Sequence, residues 1–143
     1  DDEFLLLNGD SICYQSLEQL ILTHRKNQAA LTLTLREVEK SDRYGSVMLE
    51  NQSNKILSFL EKQQNKTAQG NTLINAGCYL LSKNALQTIF GHLIGKICSF
   101  EQDICPILVS YGKVYGVICP EFFIDIGIPN DYLKFDKKIS ENL

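Results

Sequence analysis

The run Phe4-Leu5-Leu6-Leu7, ending in Asn8-Gly9-Asp10, constrains the fold more than any other stretch of the chain. An apolar run without alternation, stopped by a polar turn, predicts a fully buried parallel strand that opens into a loop at its carboxyl end. Such a strand needs neighbours on both sides, so part of its sheet is expected upstream of Asp1. The core itself is within the chain's means. At 143 residues and 44% apolar content, folding buries roughly 68–70% of the unfolded surface, without need of disulfide or metal staples.

Capping and periodicity set out the rest. Ser16 followed by Gln19 is a capping-box pattern, and Leu17, Leu20 and Ile21 carry a helical stripe to about His24. Residues 30–37 alternate Leu31, Leu33 and Leu35 with Thr32, Thr34 and Arg36, which predicts a half-buried strand and, with the preceding helix, a β-α-β unit. Residues 44–49 and 55–61 flank a polar turn and read as a hairpin. A loop over 63–71, a strand over 73–81 and a helix over 84–92 follow. Ser99 with Gln102 caps another helix, in which Pro106 is tolerable only near the first turn. Strands over 113–118 and 122–124 precede a last helix with Pro129 at its first position. This order predicts an α/β sandwich around a mixed, mainly parallel sheet, with residues 1–143 as a single domain or a fragment of one.

Composition excludes several classes. With 14 Lys and Arg against 17 Asp and Glu, the net charge is −3, and no basic block offers a footprint for nucleic acid. No apolar run approaches the ~18 residues of a membrane span, and Asp1-Asp2-Glu3 does not begin a signal peptide, so a cytoplasmic protein without membrane partners is expected. The five cysteines, at 13, 78, 98, 105 and 119, lack the spacing of a zinc hairpin or redox pair and read as small apolar residues. His24 and His92 fall in helices, away from any ligand motif.

Two strands end in acid-bearing turns, Asn8-Gly9-Asp10 and Ile124-Asp125-Ile126-Gly127. Ligand crevices of open α/β sheets lie outside the carboxyl ends of the strands. If the two turns are neighbours, Asp10 and Asp125 form a hard-oxygen site suited to Mg²⁺, which binds through one or two carboxylates plus substrate phosphates. The competing reading is that each Asp caps the turn that follows it. Glu61-Lys62 closes a strand with an acid and a base, which a solvated strand end also explains. Tyr44-Gly45 starts a strand, where the glycine permits either a close approach or a simple turn. Asn75-Ala76-Gly77 places an amide and a glycine on a central strand, which packing explains poorly.

Together these stretches resemble the sugar-phosphate nucleotidyltransferase family over nearly the whole chain. The motifs occur in the family's order: residues 4–10, Arg43-Tyr44-Gly45-Ser46-Val47, Ser58-Phe59-Leu60-Glu61-Lys62, residues 74–79, Ser99-Phe100-Glu101-Gln102-Asp103 and residues 123–132. Within it the chain is most similar to D-glycero-D-manno-heptose 1-phosphate guanylyltransferases, with mannose-1-phosphate guanylyltransferases and glucose-1-phosphate thymidylyltransferases close behind. The resemblance implies a Rossmann-like three-layer sandwich and the reaction of an NTP, GTP by this likeness, with a manno-heptose 1-phosphate to give an NDP-sugar and pyrophosphate. It implies that Asp10 and Asp125 hold Mg²⁺ and that Lys62 contacts the sugar phosphate. Glu61, Asn75, Tyr44 and the backbone at Gly45 and Gly77 would line the sugar pocket. Homo-oligomerisation is left open.

The family's glycine-rich loop with its Arg, and a later Lys, which hold the nucleotide, have no counterpart here. The chain is therefore expected to lack the N-terminal nucleotide-binding part and to be inactive alone. The alternative is a noncatalytic sugar-phosphate-binding or regulatory module derived from the same family.

Overall fold

A computed structural model describes residues 2–39, 44–60, 71–93, 95, 97–120 and 122–140. In chain order the elements are β1 (Glu3–Leu7), β2 (Ser11–Cys13), α1 (Leu17–Lys26), β3 (Leu31–Val38), β4 (Ser46–Leu49), β5 (Ile56–Leu60), β6 (Thr72–Ser82) and α2 (Lys83–Leu93). A π-helical turn (Phe100–Ile104), α3 (Cys105–Ser110), β7 (Val114–Ile118), β8 (Phe123–Asp125) and α4 (Pro129–Ser140) follow. The helix starts obey the capping signals. Ser16 Oγ accepts from Gln19 N–H at 3.4 Å and Ser99 Oγ from Gln102 N–H at 3.2 Å, and α4 begins on Pro129.

The main sheet has six strands, ordered β5-β4-β6-β3-β7, with β1 also paired to β6. β3 occupies one edge of β6 from Thr72 to Leu81, so β1 and β4 share the other. β1 covers Cys78 to Ser82, and β4 touches only at Ile74. Because β1, β3 and β4 are all antiparallel to β6 and β7 is parallel to β3, these four run one way and β5 and β6 the other. The sheet is thus mixed, as expected of the α/β class, but not mainly parallel: among the described strands only β3 and β7 pair in parallel, because β6 runs against β1, β3 and β4, and β5 turns back on β4 in a hairpin. β2 and β8 form a separate antiparallel ribbon.

Helices cover both faces. On one, Leu31, Leu33, Leu35, Tyr79 and Leu81 pack with Ala85 and Ile89 of α2 and Cys105 and Leu108 of α3. On the other, Leu20 of α1 packs with Cys78, Leu80 and Val117. This corrects the half-buried reading of β3. It lies between β6 and β7 under helices on both sides, so Thr32 and Thr34 are as buried as the leucines, and the Thr32 hydroxyl bonds the buried His24 Nδ1 at 2.9 Å.

β1 needs the opposite correction. It is not fully buried: its one ladder is antiparallel, to β6, and Leu5 and Leu7 are 42% and 60% exposed. Among the described residues nothing pairs with its other edge, which removes the cover the apolar run anticipates. An ion pair from Arg25 to Glu3, at 2.8 Å, ties the last turn of α1 to the first residue of β1. No described helix is long and apolar enough to cross a membrane.

Cys78, Cys105 and Cys119 are buried, Cys13 is half-buried and Cys98 is exposed, all as free thiols. His24 carries the clearest pH dependence. Burial lowers its pKa below the usual 6.5, opposed by the Glu3 charge and assisted by that of Arg25. Below about pH 6.5 the unfolded chain takes up a proton that the folded ring resists, so stability falls as pH drops through that range. Denaturant midpoints measured between about pH 7 and pH 5 should decline, and the decline should be shallower in His24→Gln.

Candidate functional site

The site opens where β1 and β4 part along one edge of β6, leaving residues 75–77 without a ladder partner on that side among the described residues. On the opposite edge the register slips there. β6 spends Ala76, Gly77 and Cys78 where β3 has Thr34 alone, a bulge that re-aims the strand. Gly77 adopts φ +77°, and a Cβ on it would stand 2.9 Å from the Cβ atoms of both Asn8 and Ser11. Only glycine fits that geometry. The approach is fixed by a 2.8 Å bond from Asn8 N–H to the Gly77 carbonyl, and a cavity of about 530 Å³ lies beside it.

The same approach brings the two acid-bearing turns together. Asp10 ends the turn that joins β1 to β2. Asp125 ends β8, whose partner is β2, with Ser11 opposite Asp125 and Ile126 N–H donating to the Asp10 carbonyl at 2.8 Å. The convergence is therefore the work of a small antiparallel ribbon, not of two strands of one sheet delivering their carboxyl ends to a common edge, which corrects the geometric reason for expecting it. A Cβ built on Gly127 would lie 3.0 Å from Asp125 Oδ1 and 3.1 Å from Asp10 Oδ2, so both carboxylates point into one gap that glycine keeps open. The capping reading is also partly true, since Asp125 Oδ1 accepts from Gly127 N–H at 2.8 Å.

Tyr44, Gly45 and Asn75 line the cavity with both acids, and Tyr44 meets Phe123 edge-on at 6.2 Å. Gly77 contributes the backbone approach above. Glu61 and Lys62 lie outside the described residues. Sequence reasoning did not assign Glu101 to the site. It accepts at Oε1 from Asn75 Nδ2 at 2.7 Å, from the Tyr79 hydroxyl at 2.9 Å and from Asn8 Nδ2 at 3.5 Å. The π-helical turn puts it there. Asp103 Oδ2 accepts from Ser99 N–H at 2.6 Å, Cys105 N–H reaches back to the Phe100 carbonyl, and Phe100 packs edge-on against Tyr79 at 5.0 Å.

A family profile described as nucleotidyl transferase matches residues 1–142. The chain belongs to the nucleotidyl transferase family. It is 38% identical over 130 residues to "Probable mannose-1-phosphate guanylyltransferase 3" of Arabidopsis thaliana, covering 91% of this chain and 37% of that protein. It is 32% identical over 139 residues to "D-glycero-alpha-D-manno-heptose 1-phosphate guanylyltransferase" of Aneurinibacillus thermoaerophilus, covering 97% of this chain and 56% of the relative. Among solved structures, HddC from Yersinia pseudotuberculosis superposes with TM-score 0.75 at 30% identity, over 97% of this chain and 56% of that one. The same protein complexed with GMP-PN gives 0.74. The chain thus spans about a third to a little over half the length of these relatives.

In this member of the family the charged side chains lining the cavity, among the described residues, are Asp10, Glu101 and Asp125, all acidic. The effect reaches the neighbours. Burial and the Glu101 charge raise the Tyr79 pKa, and the same two causes push the Cys105 thiol up to about 12. Both stay neutral, and Tyr79 stays a donor. No cluster of three or more His, Cys, Asp or Glu able to hold a metal exists among the described residues. Two oxygen donors facing one gap fit a Mg²⁺ that completes its shell with water and substrate phosphates, and fit poorly a metal that needs an all-protein cage.

Gly77 is the position on which this geometry turns. Gly77→Ala should lower stability by more than about 1 kcal/mol, because it combines a positive φ with two close contacts. Gly9→Ala, which meets nothing within 4 Å, is the control and should leave the denaturation midpoint nearly unchanged.

Proposed function

We propose that the full-length protein transfers a nucleotidyl group from an NTP, preferably GTP, to a manno-configured sugar 1-phosphate, a heptose 1-phosphate by preference over mannose 1-phosphate. The 143 residues are its sugar- and metal-binding portion. The observation that carries this reading is the acidic lining of the cavity in a chain of this family. A pocket whose described charges are all carboxylates repels phosphates unless a cation is bound with them.

Asp10 and Asp125 would hold that cation, and Gly127 keeps the space between them clear. Mg²⁺ there would supply the positive charge that lets two phosphate groups approach an acidic turn and would offset the charge developing on the leaving group. An oxygen of the sugar 1-phosphate attacks the α-phosphorus in line. One P–O bond forms, the bond to the β-phosphate breaks, and pyrophosphate leaves. The nucleophile is already an anion, so no general base is required, and positioning does most of the catalysis. Lys62 is assigned to the sugar phosphate, as a compact point charge. Glu61, Tyr44 and the backbone at Gly45 and Gly77 are assigned to the sugar, with Asn75 in the lining of its pocket. A cytoplasmic setting goes with this reading, because a nucleoside triphosphate is consumed.

Pyrophosphate release by the full-length protein, with Mg²⁺, each NTP and a panel of sugar 1-phosphates, tests the proposal. GTP with manno-heptose 1-phosphate should give the highest kcat/KM, whereas preference for dTTP with glucose 1-phosphate would overturn the substrate assignment. Residues 1–143 alone should release none, since the glycine-rich nucleotide loop is not matched in them.

Asp10→Asn or Asp125→Asn in the full-length protein should slow turnover roughly a hundredfold or more while leaving the fold intact. Both side chains face the cavity, not the core. Gly127→Ala should raise the Mg²⁺ concentration needed for half-maximal turnover, because its methyl group would stand between the carboxylates.

A further inference from the structure

The hydrogen bonds around Asn75 determine which group is left to read the sugar. Gly77 N–H donates to Asn75 Oδ1 at 3.1 Å, and only the amide oxygen can accept there. Nδ2 therefore faces Tyr79 and Glu101. Its two protons go to the Tyr79 hydroxyl at 2.6 Å and to Glu101 Oε1 at 2.7 Å. The Tyr79 hydroxyl in turn donates to Glu101 Oε1 at 2.9 Å. The amide donors of Asn75 are thus fully engaged, and Asn75 holds other groups in place.

Glu101 has the complementary arrangement. Oε1 takes all three donors, while no hydrogen bond from a described residue reaches Oε2, and the side chain lines the cavity that holds the two acid-bearing turns. Three donors on one oxygen fix the rotation of the carboxylate, leaving Oε2 a pre-oriented acceptor at low entropic cost. An ionised carboxylate oxygen accepts and cannot donate. Its natural partner in a sugar pocket is a hydroxyl group.

We propose that Glu101 is a specificity-determining residue whose Oε2 accepts a hydrogen bond from a hydroxyl of the sugar 1-phosphate, with Asn75 and Tyr79 acting as positioning residues that hold it. This rests on the reading of the cavity as a sugar 1-phosphate site. It makes Glu101, assigned to no role by the sequence motifs, the group that rejects sugars lacking the matching hydroxyl. A site built to bond a hydroxyl discriminates strongly against the analogue without it.

The test uses the full-length protein with Mg²⁺, GTP, mannose 1-phosphate and its monodeoxy analogues, read as pyrophosphate release. Unmodified protein should show kcat/KM roughly ten- to a hundredfold lower for one deoxy analogue than for the parent sugar, as expected for a bond to a charged acceptor. In Glu101→Gln, which keeps the shape but presents a donor, that difference should shrink to about threefold or less, with KM for GTP unchanged. Tyr79→Phe removes one donor to Oε1 and should retain the discrimination while raising KM for the sugar. Discrimination that survives Glu101→Gln, or a loss equal for every sugar, overturns the inference and leaves the transferase reading standing. Absence of turnover by the unmodified protein with any sugar 1-phosphate and any NTP overturns both.

Discussion

Everything at the cavity depends on the close approach of the β1 turn to the bulge of β6, held by the bond from Asn8 N–H to the Gly77 carbonyl. On one side of that contact the chain continues through Asp10 into β2, and β2 brings β8 and Asp125 with it. On the other side Asn75 folds its amide oxygen onto Gly77 N–H and turns its nitrogen toward Glu101. The metal-binding pair and the hydroxyl acceptor of the proposed function are thus oriented from opposite flanks of one glycine. A side chain at position 77 displaces both at once, because the strain cannot be relieved by moving a flexible side-chain end: the obstructing atoms are Cβ atoms of Asn8 and Ser11.

Local signals are legible in the sequence, and the structure follows them. The caps at Ser16 and Ser99, the proline opening α4 and the hairpin of β4 and β5 all depend on residues within a few positions of one another. Pairing is not legible, because a strand's neighbours are chosen by distant parts of the chain. An unbroken apolar run, or an alternation of Leu with Thr, describes a strand's own faces but not what covers them. β1 reads as buried, yet among the described residues its second edge is unpaired and Leu5 and Leu7 are exposed, and β3 reads as half-buried yet is enclosed. The convergence of Asp10 and Asp125 can be anticipated from two acid turns after strands, whereas the ribbon that achieves it cannot. Glu101 escapes sequence reasoning for a different reason. Its motif announces a capped helix, and in a regular helix nothing marks one acidic residue of the first turn over the next. The wider π-helical turn, with Phe100 anchored on Tyr79, is what selects it.

On the proposed reading, the acidic lining also explains why so few functional types suffice. A cavity rich in lysine and arginine would bind phosphate groups in ground state and transition state alike, which lowers KM without speeding the chemical step. The carboxylates among the described lining make phosphate binding beside them depend on the cation, with Lys62 adding its charge at the sugar phosphate. The three described acids then divide into two kinds by their surroundings. Asp10 and Asp125 share a gap kept open by glycine and surrounded by backbone turns, where a hard cation fits. Glu101 is held by neutral donors on one oxygen, which suits a sugar hydroxyl and leaves little room to swing toward an ion. In the proposed function the same chemical group would therefore serve catalysis in one place and recognition in another, with the bulge in β6 separating the two environments.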